Sequence, residues 1–424
     1  MTGDRYSGVQ VSGSRQVIVL LAFFLLAGHA IALEPAWSAA GGPPVAISAD
    51  GGFVLSDGES FSLYSSKGVQ IWRGFGGSSA MAQAGGLFSP LALTRDGKYS
   101  VLGTDGGLLF LDATQRIFWQ DSQFHPVQAL TLSPDENFVA SVADGRVTVY
   151  TNGGELVWRN YTYPDIRFAG IGPAGLLTIA GSPGVIHAFN QSGFELWNYT
   201  SPGISQVIVS PANSEIIAAS DYTVLSLHPS GNLLWKFYTG SEIRDLAISG
   251  DGTRIAAGTQ GGKVFLLDGD GNLLWSYMAG NWINTVSLSG DGSLVAAGGI
   301  DRNVYLFDRS GNLLWSYTTG GQVEGVALSS DGSGLAAGSD RVYYFSLRPI
   351  MTPVPSLPAA TSPGQTILPV TPPPSTTNPG REAAPLPPPA TIPVQATTPG
   401  SAPGPLALIA FGFLSILFGM RRVR

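Results

Sequence analysis

From about residue 45 to residue 347 the chain repeats one pattern: apolar runs of four to six residues, separated by short clusters of Gly, Ser, Asn and Asp. One stretch shows it well. Thr285–Ser289, Leu294–Gly298, Val304–Phe307 and Leu313–Tyr317 are rich in Val, Leu, Ile, Phe and Tyr. Between the first two lies Ser289-Gly290-Asp291-Gly292, and between the last two Arg309-Ser310-Gly311. Short β-branched and aromatic runs bounded by Asp-Gly or Ser-Gly predict strands joined as hairpins. Runs this short, and this low in Ala, Glu and Lys, do not predict helices.

The pattern has a period. Eight of nine tryptophans, Trp37, Trp72, Trp119, Trp158, Trp197, Trp235, Trp275 and Trp315, follow one another at intervals of 35, 47, 39, 39, 38, 40 and 40 residues. The best-kept unit is Gly-Asn-Leu-Leu-Trp, at Gly231–Trp235, Gly271–Trp275 and Gly311–Trp315. Four strands per roughly 40 residues is the blade of a β-propeller. With strands named A to D in each unit, A-strand signals occur at Val45–Ser48, Leu91–Thr94, Leu130–Ser133, Phe168–Ile171, Val207–Ser210, Leu246–Ser249, Val286–Ser289 and Val326–Ser329. That makes eight blades. The last unit ends after its C strand, Val342–Leu347, whereas Trp37 lies on a D-like run ahead of the first A strand. The expected fold is therefore all-β: an eight-bladed propeller of four-stranded antiparallel blades over residues 33–348, closed by an N-terminal outer strand. The tryptophans are expected to cover blade interfaces, at ~200 Å² each. The small Ala-Ala-Gly steps at Ala256–Gly258, Ala296–Gly298 and Ala336–Gly338 are expected to let sheets pack closely.

The ends read differently. Arg5 and Arg15 precede an apolar run, Val17–Gly28, followed by Ala30-Ile31-Ala32, which reads as a signal peptide over residues 1–32. Residues 349–405 hold 18 prolines and 9 threonines with only two charges, Arg381 and Glu382. Such a segment predicts a disordered Pro/Thr-rich stalk, with an extended reach of roughly 170 Å. Leu406–Met420 is free of charge and Arg421, Arg422 and Arg424 follow it. This predicts a short transmembrane helix over 406–420 with a basic cytoplasmic tail over 421–424, leaving the propeller outside at the cell surface. Pro403-Gly404, the short apolar helix and the arginines also resemble the C-terminal sorting signals cut by sortase-like enzymes.

Composition then excludes chemistry. The chain has no cysteine, so disulfides, thiolate metal sites and cysteine nucleophiles are absent. Residues 33–348 carry 16 Lys and Arg against 27 Asp and Glu, so no nucleic-acid partner is expected. Gly170–Gly175 spells G-x-G-x-x-G, but it falls at an A–B turn with no helix after it, so no dinucleotide is expected. Asp268, Asp270 and Asn272 mimic the start of a calcium loop that continues with Leu273 and Ala279 where Gly and Glu belong. His125, His187 and His228 sit on different units without metal spacing. No catalytic, cofactor-binding or metal residue is predicted. Asn160, Asn190 and Asn198 head N-x-S/T sequons and are candidate N-glycosylation sites.

Runs such as Leu267–Trp275 (LDGDGNLLW) resemble the tryptophan-docking repeat of quinoprotein-type, PQQ-like propellers, and the S-x-D-G turns resemble WD40-type repeats. This chain has one residue fewer between Asp and Gly, carries Gln115 where the second blade should have Gly, and contains no Trp-Asp dipeptide. The resemblance implies the fold. It implies no activity, because quinoprotein dehydrogenases hold their cofactor with a vicinal cysteine pair. The expected role is a non-catalytic surface module that binds a protein or a glycan and meets the membrane through its C-terminal helix. The alternatives are an extracytoplasmic quinoprotein-like oxidoreductase and an envelope scaffold without a ligand. Binding is expected on the face carrying the D–A and B–C connections, with Trp282 at its centre and His125, Asp165, Arg167, Glu242, Arg244 and Glu324 around it. The B–C aspartates Asp57, Asp105, Asp144, Asp221, Asp301 and Asp340 are expected mainly as turn formers.

Overall fold

A computed structural model describes residues 33–348 apart from 59, 76–90, 123–124, 162–164 and 176. The signal peptide, stalk, C-terminal helix and basic tail expected from the sequence lie outside the described residues, as does Thr162 of the first sequon. Among the described residues no helix is long and apolar enough to cross a membrane.

Eight four-stranded antiparallel sheets follow one another along the chain. Seven are built in sequence order, from Gly42–Gly74 for blade 1 to Ile283–Thr318 for blade 7. The eighth joins Gly325–Leu328, Gly334–Gly338 and Val342–Ser346 to the N-terminal strand Trp37–Ala39. Trp37 lies opposite Tyr344 and Ala39 opposite Val342. The expected closure is thus the one observed.

Each junction between blades rests on the D-strand tryptophan. In blade 6 the Trp275 indole donates to the carbonyl of Arg309, in the C–D turn of blade 7, at 3.0 Å. Trp119, Trp197 and Trp235 make the same bond to Asn152, Pro229 and Gly269. The turn glycine that follows each acceptor lies under the ring: a Cβ on Gly154, Gly231, Gly271 or Gly311 would sit within 2.5–2.7 Å of it, and φ there is 81–88°. Only glycine meets both conditions without strain. This explains why Gly and Trp keep their spacing. Blade 2 has Gln115 instead, held at φ 68°; the Trp72 N–H that faces it is buried without an acceptor, as is that of Trp158 over Gly193. At the closure Trp315 donates to Leu33 at 2.9 Å and Trp37 to Ser66 at 3.0 Å. The N-terminal segment therefore supplies both an outer strand and the acceptor that a C–D turn supplies elsewhere.

The Ala-Ala-Gly steps lie on B strands and face the next blade. A Cβ on Gly258 would come within 2.5 Å of Ile283, and one on Gly298 within 2.3 Å of Val323. Ala256, Ala257, Ala296 and Ala297 are fully buried.

The A strands begin earlier than their apolar pattern suggests. In blades 5 to 7 they run Ile204–Val209, Ile243–Ile248 and Ile283–Leu288, each with a bulge after its first residue. A bulge breaks the two-residue alternation, which hides the first half of the strand from a pattern reading.

Candidate functional site

The innermost A strands of neighbouring blades run side by side around the central channel. Side chains just past each bulge bridge them. Gln206 of blade 5 accepts from the Leu246 N–H at 2.8 Å and donates to Asp245 at 3.0 Å. The Asp245 carboxylate of blade 6 accepts from the Val286 N–H at 2.8 Å. Thr285 of blade 7 accepts from the Val326 N–H at 3.2 Å. Gly325 and Pro44 hold the same place in blades 8 and 1, and the chain of bridges stops there. Burial pushes the Asp245 carboxyl up to about 6, against the pull of the donors from Val286, Gln206, Thr285 and Leu246.

A cavity of about 240 Å³ opens at this channel mouth, on the D–A and B–C side. Gln206, Arg244, Asp245, Asn284, Thr285 and Glu324 give it its polar groups, and Pro44 and Gly325 give it room. Arg244, Asn284 and Glu324 hold equivalent positions in three successive blades. Asn284 donates to the Val323 carbonyl at 3.2 Å. The Arg244 Nε is buried with no hydrogen-bond partner, and among the described residues Arg244 forms no salt bridge. An unpaired guanidinium beside an amide and a carboxylate can hold a ligand that carries an anionic group together with donors.

Of the residues expected on this face, the structure brings together Arg244 and Glu324. Trp282 is 39% exposed on the preceding D–A connection, and its side chain does not line the cavity. Its carbonyl accepts from Ile300 at 3.0 Å, which ties the D–A connection to the B–C turn. His125 stands 3.7 Å from Asp144 on blade 3, and Asp165, Arg167 and Glu242 are exposed and outside the cavity. The B–C aspartates serve turns: Asp144 and Asp221 adopt φ of 51° and 50°, and Asp301 and Asp340 accept from Tyr305 and Tyr343. Sequence reasoning missed Asp245 and Asn284. The signal lay in Ile-x-x-Val/Leu at residues 204–207, 243–246 and 283–286, which aligns them across repeats.

The other candidates resolve as turns. Asp268 accepts from the N–H groups of Asp270 and Asn272 and from the Asn272 amide, so its carboxylate is spent on the C–D turn and held below its usual pKa. Gly170–Gly175 ends in a 3-10 turn over Pro173–Gly175. His187 pairs with Glu195 at 3.0 Å, and His228 with Ser230 at 2.7 Å. Of the sequon asparagines, Asn190 accepts two backbone N–H bonds within its own turn, whereas Asn198 is exposed. The opposite channel mouth, on the A–B side, holds a cavity of about 400 Å³ with Ile171, Val209 and Ile248 among its apolar lining. Its Glu136 carboxylate is engaged by the Arg95 N–H.

The repeat family described as outer membrane protein assembly factor BamB matches residues 143–281 and 220–346. No curated protein matches the chain. Among solved structures, the C-terminal WD40 domain of Sif2 superposes with a TM-score of 0.64 at 16% identity, covering 75% of this chain and 99% of that one. The computationally designed Ika8 protein gives 0.61 at 17% identity, covering 74% and 98%. Chaetomium thermophilum Sqt1, solved bound to the N-terminus of ribosomal protein L10, gives 0.60 at 19% identity, covering 72% and 97%. The residues at the mouth do not fit the quinone and calcium of quinoprotein dehydrogenases. The chain lacks cysteine, and both oxygens of Asp245, the mouth's most buried carboxylate, are engaged by Gln206, Leu246 and Val286. The chain is an eight-bladed β-propeller with the fold that WD40 propellers share, and its repeats over residues 143–346 are PQQ-like.

Proposed function

We propose that this protein is an exported, membrane-anchored propeller that binds a protein or a glycan at the cell surface without catalysis, through the channel mouth on the D–A and B–C side. The observation that carries the reading is Arg244. A guanidinium with a buried, unpaired Nε is costly unless something completes it, and it faces a cavity that also offers Asn284 and Glu324. The sequence supplies the location: residues 1–32 for export, 349–405 for reach, 406–420 for anchorage and 421–424 for the inside end. The mouth's donors and acceptors are those of a recognition surface.

The test uses the full chain in detergent against panels of acidic peptides and of acidic and neutral glycans. At least one acidic class should bind, and Arg244→Ala should lower its affinity about tenfold, the worth of one charge-assisted contact. Binding that survives Arg244→Ala unchanged but is lost in Trp282→Ala would move the site to the D–A loop. Protease added to intact cells should release a propeller-sized fragment by cutting the stalk. Full protection, in an envelope that admits the protease, would overturn the location.

A further inference from the structure

Two residues beyond the docking tryptophan, blades 5, 6 and 7 carry Phe237, Tyr277 and Tyr317. Each packs against an aromatic ring on the C strand of the next blade. Phe237 lies 5.6 Å from Phe265, Tyr277 lies 5.9 Å from Tyr305 and Tyr317 lies 5.8 Å from Tyr343. These ring pairs fill the cleft between neighbouring blades on the D–A and B–C side. At the closure between blades 8 and 1 both positions change. Ala39 stands where Tyr277 and Tyr317 stand, and Ser62 stands where Tyr305 and Tyr343 stand. The docking tryptophan itself is kept: Trp37 packs between Tyr344 and Tyr64 at 5.5 and 5.3 Å. The junction is therefore closed at its tryptophan and open beside it. A groove of about 470 Å³ occupies the place of the missing rings.

The groove is polar. Ser38, Ser60 and Ser62 offer hydroxyls, and Arg73, Arg341 and Asp340 also line it. Arg73 donates to Ser60, just ahead of the C strand, at 2.7 Å. Arg341 is half-exposed, with its own neighbour Asp340 no nearer than 3.8 Å and Ser38 at 3.4 Å. A space that holds two aromatic rings between blades 5 and 8, but is lined here by hydroxyls, two guanidinium groups and the Asp340 carboxylate, suits a hydroxylated ring with one anionic substituent.

We propose that the groove between blades 8 and 1 binds an acidic saccharide: a six-membered sugar ring bearing a carboxylate or sulfate that pairs with Arg341, with its hydroxyls on the serines and Asp340. The groove and the channel mouth share no lining residue, so the assignment stands independently of what the mouth binds.

The experiment is saturation-transfer NMR and calorimetry on the full chain in detergent. The probes are glucuronate, a sulfated hexose and glucose, which separate carboxylate, sulfate and neutral rings. An acidic sugar should bind about tenfold more tightly than glucose. Ala39→Tyr places there the residue that the junctions between blades 6 and 8 carry and should abolish binding while leaving the melting temperature level or higher. Arg341→Glu, on an exposed turn, should abolish preference for the acidic ring without touching the core. Arg244→Ala, at the mouth, should leave this binding unchanged. Equal binding of glucose and the acidic sugars, no binding of any of them, or acidic-sugar binding that survives Arg341→Glu would each overturn the proposal. The last of these decides the matter even if Ala39→Tyr fails to fold.

Discussion

Between blades 5 and 8 each junction is closed twice, by a tryptophan that docks on a C–D turn or, between blades 7 and 8, on Leu33 of the N-terminal segment, and by an aromatic ring two residues further along the D strand. Between blades 8 and 1 only the tryptophan remains, with Ala39 and Ser62 in place of the ring pair. Yet the ring closes, through Trp315 bound to Leu33 and Trp37 bound to Ser66. Two jobs that the junctions between blades 5 and 8 merge are separate at the seam. Tryptophan docking, with its carbonyl acceptor and its glycine, holds neighbouring sheets together. The second aromatic fills space, and where it is absent the space becomes available for something else. Burial of a large aromatic ring stabilises by several kcal/mol, so giving one up at the seam is a real loss of packing.

The sharpest way to break this picture is to remove the seam. Deleting residues 33–40 takes away the outer strand, the Trp37 ring and the acceptor of Trp315. Calorimetry should show the melting temperature falling by about 10 °C, or no cooperative transition, since about 5 kcal/mol of packing is lost. A shift under about 2 °C would mean that the ring does not depend on its closure. Next in size is Gly311→Ala in the regular arc. The new Cβ would meet Trp275 at 2.7 Å, at φ 84°. The expected cost is about 2–3 kcal/mol, read by denaturant unfolding. The same substitution at Gly240, where φ is 78° but nothing lies within 4 Å, should cost only the backbone part, about 1 kcal/mol.

A pH dependence separates the channel from the seam. The Asp245 carboxyl is pushed up to about 6 from its ordinary 3.8, chiefly by burial. A carboxyl with a raised folded-state pKa favours the folded state when protonated. Its contribution is present below about pH 4 and is lost as pH rises through about 6. Asp245→Asn should therefore gain stability relative to the parent by about 2 kcal/mol between pH 4 and 7. Parallel melting curves for the two proteins across that range would contradict it. The surface A–B aspartates, such as Asp251 and Asp291, are held low by hydrogen bonds from their turns and weaken the fold in the opposite direction, as pH falls. The smallest expected effect is a gain: Gln115→Gly relieves a left-handed glutamine at the one described C–D turn that lacks glycine, for about 1 kcal/mol.

Much of the architecture was legible because propeller blades are written in turn chemistry and period. Gly-Asn-Leu-Leu-Trp marked the D strands, Ser-x-Asp-Gly the A–B turns, and the missing eighth D strand pointed to Trp37. What the period could not show was the reason for it. The glycine lies beneath the preceding blade's indole, a contact between residues about 35 apart that no local pattern displays. The A strands were read short because a bulge interrupts their alternation. The site was legible only in part. Arg244 and Glu324 stood out as charges beside the channel. Asp245 and Asn284 did not, because their meaning comes from neighbouring strands of other blades. Trp282 drew attention as an exposed aromatic outside the register, but its side chain lies off the cavity and its carbonyl ties the loop to Ile300. The residue two beyond the tryptophan varies along the chain, aromatic at Tyr199, Phe237, Tyr277 and Tyr317 and small or polar at Ala39, Gly74, Asp121 and Asn160, and Ala39 became meaningful only beside the facing Ser62.

The most direct test is hydrogen–deuterium exchange on the full chain, with and without the acidic peptide that binds most tightly, because acidic sugars are assigned to the groove between blades 8 and 1. The proposed binding surface is the channel mouth on the D–A and B–C side. Protection should therefore appear in peptides spanning 243–246, 283–286 and 323–326, and be lost in Arg244→Ala. Protection confined to 132–136, 207–211 and 248–250, at the opposite mouth, would contradict the account.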